Sequence, residues 1–445
     1  MSIAIKTWKN SEWLSFASIS LFLGLHLVIA GYPVILWDSA RYLTGSLFLH
    51  PDDIGLSLIS YLVKPLVTLT GAWGFPIFQI ALLAYVLTCV LKFFNKNFIL
   101  GIIAISISAA GYFTIQVMMD IYTAIGLLAL FLVLNEDRDI FLYIILGICY
   151  VAHYENIFLF PLCAVIYRVI FAGKKNNFKL FSITLFFLFL ITGIFSANYA
   201  LENNFRFFPK VKYVMPAARI MVDSPEITKT YMEKYPDSPL SKRKNLYEYA
   251  KTQPDPSHTL LWDAKEGIGL RTGANDLDQE SKKFVFYALK NYKLKLLKNA
   301  VKNTCRFLVK PGYRISGESG KEPIDQFIGK FIPEQLEQAK NSLQYKGILA
   351  HINLKLIYAV CFYITFPAIL LFIFFAFINR EIQNLKYYPF AVLTAIFMVL
   401  NACVMSNFIN IYLRYQLRIM ILPSLAASLI YVDFFKMVEQ QCKKK

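Results

Sequence analysis

The chain has 445 residues, 57% of them hydrophobic and 16% aromatic, with a formal net charge of +17 and a mean hydropathy of +0.48. Apolar runs near the ~20 residues of a bilayer crossing recur along it, so it reads as an all-α polytopic membrane protein. The placement of the positive excess argues against a nucleic-acid partner: much of it sits in short loops between apolar runs, where Lys and Arg set membrane orientation. Seven cysteines (Cys89, Cys149, Cys163, Cys305, Cys361, Cys403 and Cys442) form no CxxC pair. Neither a disulfide framework nor a zinc site is expected from them.

The N-terminus carries Lys6 and Lys9 ahead of the first apolar run, 13–36. That run is too long for a signal peptide and lacks a small-residue cleavage site, so it reads as an uncleaved first span. Further spans are expected near 73–94, 98–115, 120–134, 139–153, 156–172, 178–199, 353–379, 387–405 and 410–433. The stretch 37–72 is apolar but broken by Pro51-Asp52-Asp53, Pro65 and Gly71. With Lys64-Pro65 in its middle, 54–69 reads as a helix lying in the interface rather than an eleventh span.

Loop charge fixes the orientation. With the N-terminus inside, the cytoplasmic pieces hold 15 Lys and Arg and the short outer pieces hold 4, the asymmetry of the positive-inside rule. The chain then divides into an N-terminal membrane module (1–200), a mainly helical outer domain (201–352) and a C-terminal membrane module (353–445). Within the outer domain, 282–310 carries nine Lys and Arg and no acid. Phe284, Leu289, Leu294, Leu297 and Val301 recur there at roughly helical spacing. This is the pattern of a basic amphipathic helix near headgroups or a phosphate-bearing ligand, or of a solvated basic face.

Four polar clusters share the outer face. The first, Trp37-Asp38-Ser39-Ala40-Arg41-Tyr42, directly follows the first span, where a carboxylate is costly unless hydrated, paired or used. The second runs from Gln116 to Asp120, at the mouth of the fourth span. His153-Tyr154-Glu155-Asn156 is the third, and the fourth carries Arg414, Tyr415, Gln416 and Arg418. Each has a structural reading: Asp120 as a helix N-cap, Arg414 and Arg418 as headgroup anchors on one helix face. Together, acids and arginines at one depth point to a site, and Arg suits bidentate phosphate binding.

The layout resembles the GT-C class of integral-membrane glycosyltransferases, with Asp38 and Asp120 at the positions of that class's outer-loop acids. It also resembles an uncharacterised group of bacterial GT-C-like proteins. That likeness is carried by Met118-Met119-Asp120-Ile121-Tyr122-Thr123, Ala152-His153-Tyr154-Glu155-Asn156 and Leu413-Arg414-Tyr415-Gln416. It extends to Ala218-Arg219-Ile220-Met221-Val222-Asp223-Ser224-Pro225 and Leu260-Leu261-Trp262-Asp263. The double-acid motif of protein mannosyltransferase relatives is missing, since Ser39 follows Asp38.

The resemblance implies a GT-C-like helical bundle in a bacterial inner membrane, moving a sugar from a polyprenyl-phosphate donor to a periplasmic glycan or glycolipid acceptor. Asp38 and Asp120 are then the catalytic candidates, with Asp38 as base. Arg41, Tyr42, His153, Glu155, Arg414, Gln416 and Arg418 are the substrate-binding candidates, the arginines or the 282–310 segment meeting the leaving phosphate. Asp38, Asp120 and Glu155 are candidate ligands for one divalent cation, Mg or Mn, with metal-free catalysis left open. The rival readings are a polysaccharide ligase or polymerase, and a lipid or solute transporter. A transporter is expected to carry ionisable groups near mid-membrane, often with internal repeats.

Overall fold

The computed structural model describes residues 8–48, 58–135, 139–153, 155–171, 183–193, 213–253, 256–262, 275–309, 320–408 and 413–444. Pro51-Asp52-Asp53, Tyr154, Asp263, Lys445 and much of the expected span 178–199 lie outside them. Regular structure among the described residues is helical, apart from one parallel bridge between Val34 and Gln116.

Four runs are long and apolar enough to cross a membrane: Asn10–Ala30, Ile59–Phe93, Leu354–Ile378 and Tyr388–Phe408. The helices Tyr122–Asn135, Ile140–Ala152, Asn156–Phe171 and Ile183–Gly193, and the apolar part Ile421–Phe434 of the last helix, are shorter. The run expected as a span over 98–115 breaks into Phe98–Ser106 and Ala110–Thr114. At the break Ser108 Oγ donates to the Ile105 carbonyl and accepts from the Ala110 amide, an alternative to helical backbone bonding that serine favours.

The run Ile59–Phe93 is not straight. It consists of Leu58–Thr70 and Gly74–Phe93, joined by the turn Gly71–Trp73. The chain doubles back so tightly that a Cβ on Gly74 would stand 2.7 Å from the Val67 nitrogen. Leu58–Thr70 has 13 residues, a rise of about 20 Å, too short to cross a hydrocarbon layer of ~30 Å. Residues 54–57 of the 54–69 stretch lie outside the described residues.

Tyr122–Asn135 is buried from Tyr122 to Leu134, as expected of a helix that is apolar all round. Its hydrophobicity comes from being enclosed by protein. Ile140–Ala152 and Asn156–Phe171 pack on it so closely that a Cβ on Gly126 would lie 2.3 Å from the Phe160 ring and 2.7 Å from Cys149 Cβ.

The expected outer domain, 201–352, divides in two. Helices Val214–Asp223, Pro225–Lys234, Lys244–Lys251, Pro256–Trp262 and Asn275–Asn291 share a core of their own, which includes Ala217, Met221, Ile227, Leu261 and Phe284. Residues 320–351 instead join the core of the bundle through Ile324, Ile328 and Ala339. Gln335 and Gln344 tie this second part down: Tyr32 Oη donates to Gln335 Oε1, and the Gln344 amide bonds both the amide and the carbonyl of Ile35. The 282–310 stretch is likewise two helices, Asn275–Asn291 and Lys293–Val309, with the break at Tyr292.

Polar pairs collect at the two ends of the bundle. At one end Lys92 meets Glu12, Lys96 meets Asp433, and Tyr85 donates to Asp139. The other end holds the expected site.

Candidate functional site

Asp38 sits on a loop whose backbone is bonded on three sides. Val34 accepts from the Val117 amide and donates to the Ile115 carbonyl, Ile35 is held by Gln344, and Ser39 Oγ accepts from the Leu36 amide. The same bridge fixes the strand-like stretch that leads to Asp120. Gln79, fully buried in an otherwise apolar helix, donates to the Gln116 and Met118 carbonyls on that stretch. One short piece of extended backbone thus places both acids.

Glu155 lies in the tight connection between Ile140–Ala152 and Asn156–Phe171. Asn156 secures that turn by donating to the Cys149 carbonyl. His153 Nδ1 lies 3.3 Å from Glu155 Oε1. The turn carrying the arginines is held by a second buried amide: Asn401 Nδ2 donates to the Tyr415 carbonyl and to Gln416 Oε1.

The four clusters converge. Arg414 Nη2 donates to Asp38 Oδ2 at 3.0 Å. Arg418 Nη1 donates to Asp120 Oδ1 at 3.2 Å and Nη2 to Glu155 Oε1 at 2.8 Å. Both guanidiniums lie about 5 Å from the Tyr415 ring centre, and Arg414 also donates to Tyr415 Oη. Arg41 stands over the Tyr42 ring at 5.6 Å and acts electrostatically on Asp38. Three carboxylates thus meet three guanidiniums.

The cluster has a closed layer and an open one. Arg418 is 0% exposed and Asp120 1%, so neither reaches a ligand in this arrangement. This differs from the expectation of Asp120 as a catalytic acid and Arg418 as a phosphate ligand. Each neutralises the other, and burial makes that pairing obligatory. Nor is Asp120 a side-chain N-cap, since its bonded oxygen takes Arg418 and Oδ2 has no hydrogen-bond partner among the described residues. Gln416, expected to bind substrate, is fully buried under Asn401. The open layer is Asp38, whose side chain is 38% exposed, with Arg414, Arg41, Tyr42 and His153 around it.

Burial opposes ionisation of Asp38, but Arg414 and Arg41 outweigh it and hold the carboxyl below its usual range. Burial likewise works against Glu155; His153 when protonated, and Arg418 at any pH, overcome it. Burial pushes His153 down, more than Glu155 lifts it. A charged carboxylate and a neutral imidazole are the forms favoured at neutral pH.

The divalent-cation expectation does not fit. Asp120 and Glu155 point at one guanidinium, and among the described residues no three His, Cys, Asp or Glu side chains are grouped so as to hold a metal ion. The donor set suits Arg418.

Three structural contributors are absent from the sequence-based site: Gln79, Asn401 and Gln344. Gln79 and Asn401 carried a usable signal, since a lone amide inside an apolar run requires a partner. Gln344 carried none, as it lies in a polar stretch.

No family model matches the chain, and no curated protein or solved structure matches it. What the cluster can do rests on its own chemistry.

Proposed function

We propose that the chain is a GT-C-like membrane glycosyltransferase that moves a sugar from a polyprenyl-phosphate donor to a hydroxyl acceptor at the extracytoplasmic face of a bacterial inner membrane. The observation that carries this reading is the Asp38–Arg414 pair: a half-open carboxylate bonded to an arginine at one end of an apolar bundle. A base and an anion-binding group are thereby adjacent, with the carboxylate partly open to solvent.

In the reaction, the acceptor oxygen forms a bond to the anomeric carbon while the bond from that carbon to the phosphate oxygen breaks. The electron pair leaves with the phosphate, and the acceptor's proton passes to Asp38. Arg414 and Arg41 meet the charge developing on the phosphate. A phosphate on Arg414 draws it from Asp38, which relieves the depression of the Asp38 pKa and restores its capacity to take a proton. Arg418, Asp120 and Glu155 hold the loops in register beneath. The charged pairs described in the bundle collect toward its two ends, which favours an interfacial enzyme over a transporter with mid-membrane ions.

The test is transfer from radiolabelled polyprenyl-phosphate sugars to membrane extracts by the purified protein in proteoliposomes. Label appearing in a glycan or glycolipid fraction is the expected result. Failure with every donor, alongside transbilayer movement of any of them, would replace the enzyme by a transporter.

A further inference from the structure

Helix Lys293–Val309 has two apolar faces. One, with Asn303 and Phe307 buried, packs against Tyr388–Phe408, where Asn407 donates to the Ala300 carbonyl and to Thr304 Oγ1. The other points away from the protein. Leu294, Leu297, Val301, Cys305 and Val309 are all exposed, Leu294 at 83%, and their spacing of three and four residues puts them in one row. A second row, Lys298, Lys302 and Arg306, is exposed too and runs beside it one position on. Helix Asn275–Asn291 adds exposed Phe286 and Leu289.

The helix ends beside a candidate span. Tyr358 Oη donates to the Leu308 carbonyl and Tyr363 Oη to the Val309 carbonyl. Tyr358 and Tyr363 belong to the first three turns of Leu354–Ile378, whose exposed row Leu356, Val360 and Ile364 is the face such a span turns to lipid. The outward apolar row of Lys293–Val309 therefore continues into that face.

We propose that Lys293–Val309 lies in the headgroup layer of the membrane, with Leu294, Leu297, Val301 and Val309 in the acyl boundary and Lys298, Lys302 and Arg306 on anionic lipid headgroups. An apolar row flanked by cations is what holds a helix in that plane, and the long basic side chains reach outward to the charged layer. Each cation near an anionic leaflet contributes attraction that fades within a Debye length. The stretch 282–310, with nine Lys and Arg and no acid, is complementary to such a surface. This placement stands apart from any enzymatic activity. It also sets the helix against the site, because Phe307 packs with Tyr415, which binds Arg414.

Cys305 is exposed on the outward row and serves as the reporter. A nitroxide is placed on it in the full chain, with Cys403→Ser and Cys442→Ser, reconstituted in phosphatidylcholine or in an equal mixture with phosphatidylglycerol. Collisions with oxygen and with a water-soluble nickel chelate are then compared by spin resonance. The expected result is a label open to oxygen and shielded from nickel, more so with phosphatidylglycerol. Lys298→Glu, Lys302→Glu and Arg306→Glu together should remove the lipid dependence.

A label as open to nickel as one on Lys229→Cys, at the exposed surface of the neighbouring unit, would overturn the placement. Shielding that is equal in both lipids would overturn the anionic recognition. Dipolar broadening that vanishes on dilution with unlabelled protein would assign the row to a second copy of the chain instead.

Discussion

Asp38 and Arg414 are 376 positions apart in the chain and are joined by a 3.0 Å hydrogen bond. The bond links the loop after the first apolar helix to the turn before the last. Four residues on, Arg418 makes the corresponding link to Asp120 and Glu155, out of solvent. The half-open pair is the part a ligand can compete for, and the buried triad is the part that keeps the loops together. Different substitutions should separate the two roles.

The triad should be strongly coupled to stability. Arg418→Met leaves two carboxylates buried without their partner, and breaking such an arrangement costs about 3–5 kcal/mol. The thermal midpoint in detergent should fall accordingly. Adding Asp120→Asn and Glu155→Gln removes the stranded charges and should recover much of the loss. A single variant as stable as wild type would mean that water reaches the triad.

Arg414→Lys should behave differently. The charge remains, but the planar fork that grips Asp38 or a phosphate is lost. Binding of a polyprenyl phosphate should weaken, measured by titration into proteoliposomes, with the thermal midpoint little changed. Equal binding by wild type and Arg414→Ala would make Arg414 a structural anchor only.

Acid should destabilise the fold in two stages. His153 has a folded pKa below its ordinary 6.5, so the unfolded chain takes up that proton first; stability is intact above pH 6.5 and falls as the pH drops below it. Asp38 and Glu155 have depressed pKa values, so their contribution is present at neutral pH and is lost only below the ordinary carboxylate range. His153→Gln should abolish the first stage and leave the second, seen in midpoints measured across pH. A first stage that survives the substitution would place the titrating group elsewhere.

Close packing around Tyr122–Asn135 sets the position of Asp120 and Glu155. Gly126→Ala puts a methyl group into Phe160 and Cys149, and overpacking of this kind costs about 1–3 kcal/mol. The same variant should bring the acid transition to higher pH, because both carboxylates are displaced. An unchanged midpoint would show that Phe160 can move aside freely.

Several of these relationships were legible in the sequence and several were not. Asp38, Asp120, Glu155 and the two arginines stand out because each interrupts an apolar pattern, and the loop charges put them on one face. Their pairing was not legible: an arginine that snorkels and one that is wholly buried look alike in a single sequence, and Arg418 is the buried kind. Hydropathy also cannot separate a helix that faces lipid from one enclosed by protein, so the apolar pattern of Tyr122–Asn135 did not reveal that its own neighbours bury it. The division of 201–352 depends on Gln335 and Gln344 finding backbone more than 260 positions away, and nothing local marks those two amides.

The most direct test of the account is sugar transfer by Asp38→Asn, scored per folded molecule against wild type. Asparagine keeps the size and much of the hydrogen bonding to Arg414 but cannot take a proton. Loss of a positioned base lowers rates by about 10²–10⁴-fold, so transfer should nearly vanish while donor binding persists. Turnover equal to wild type, on a donor that the wild type demonstrably uses, would contradict the assignment of Asp38 as the catalytic base.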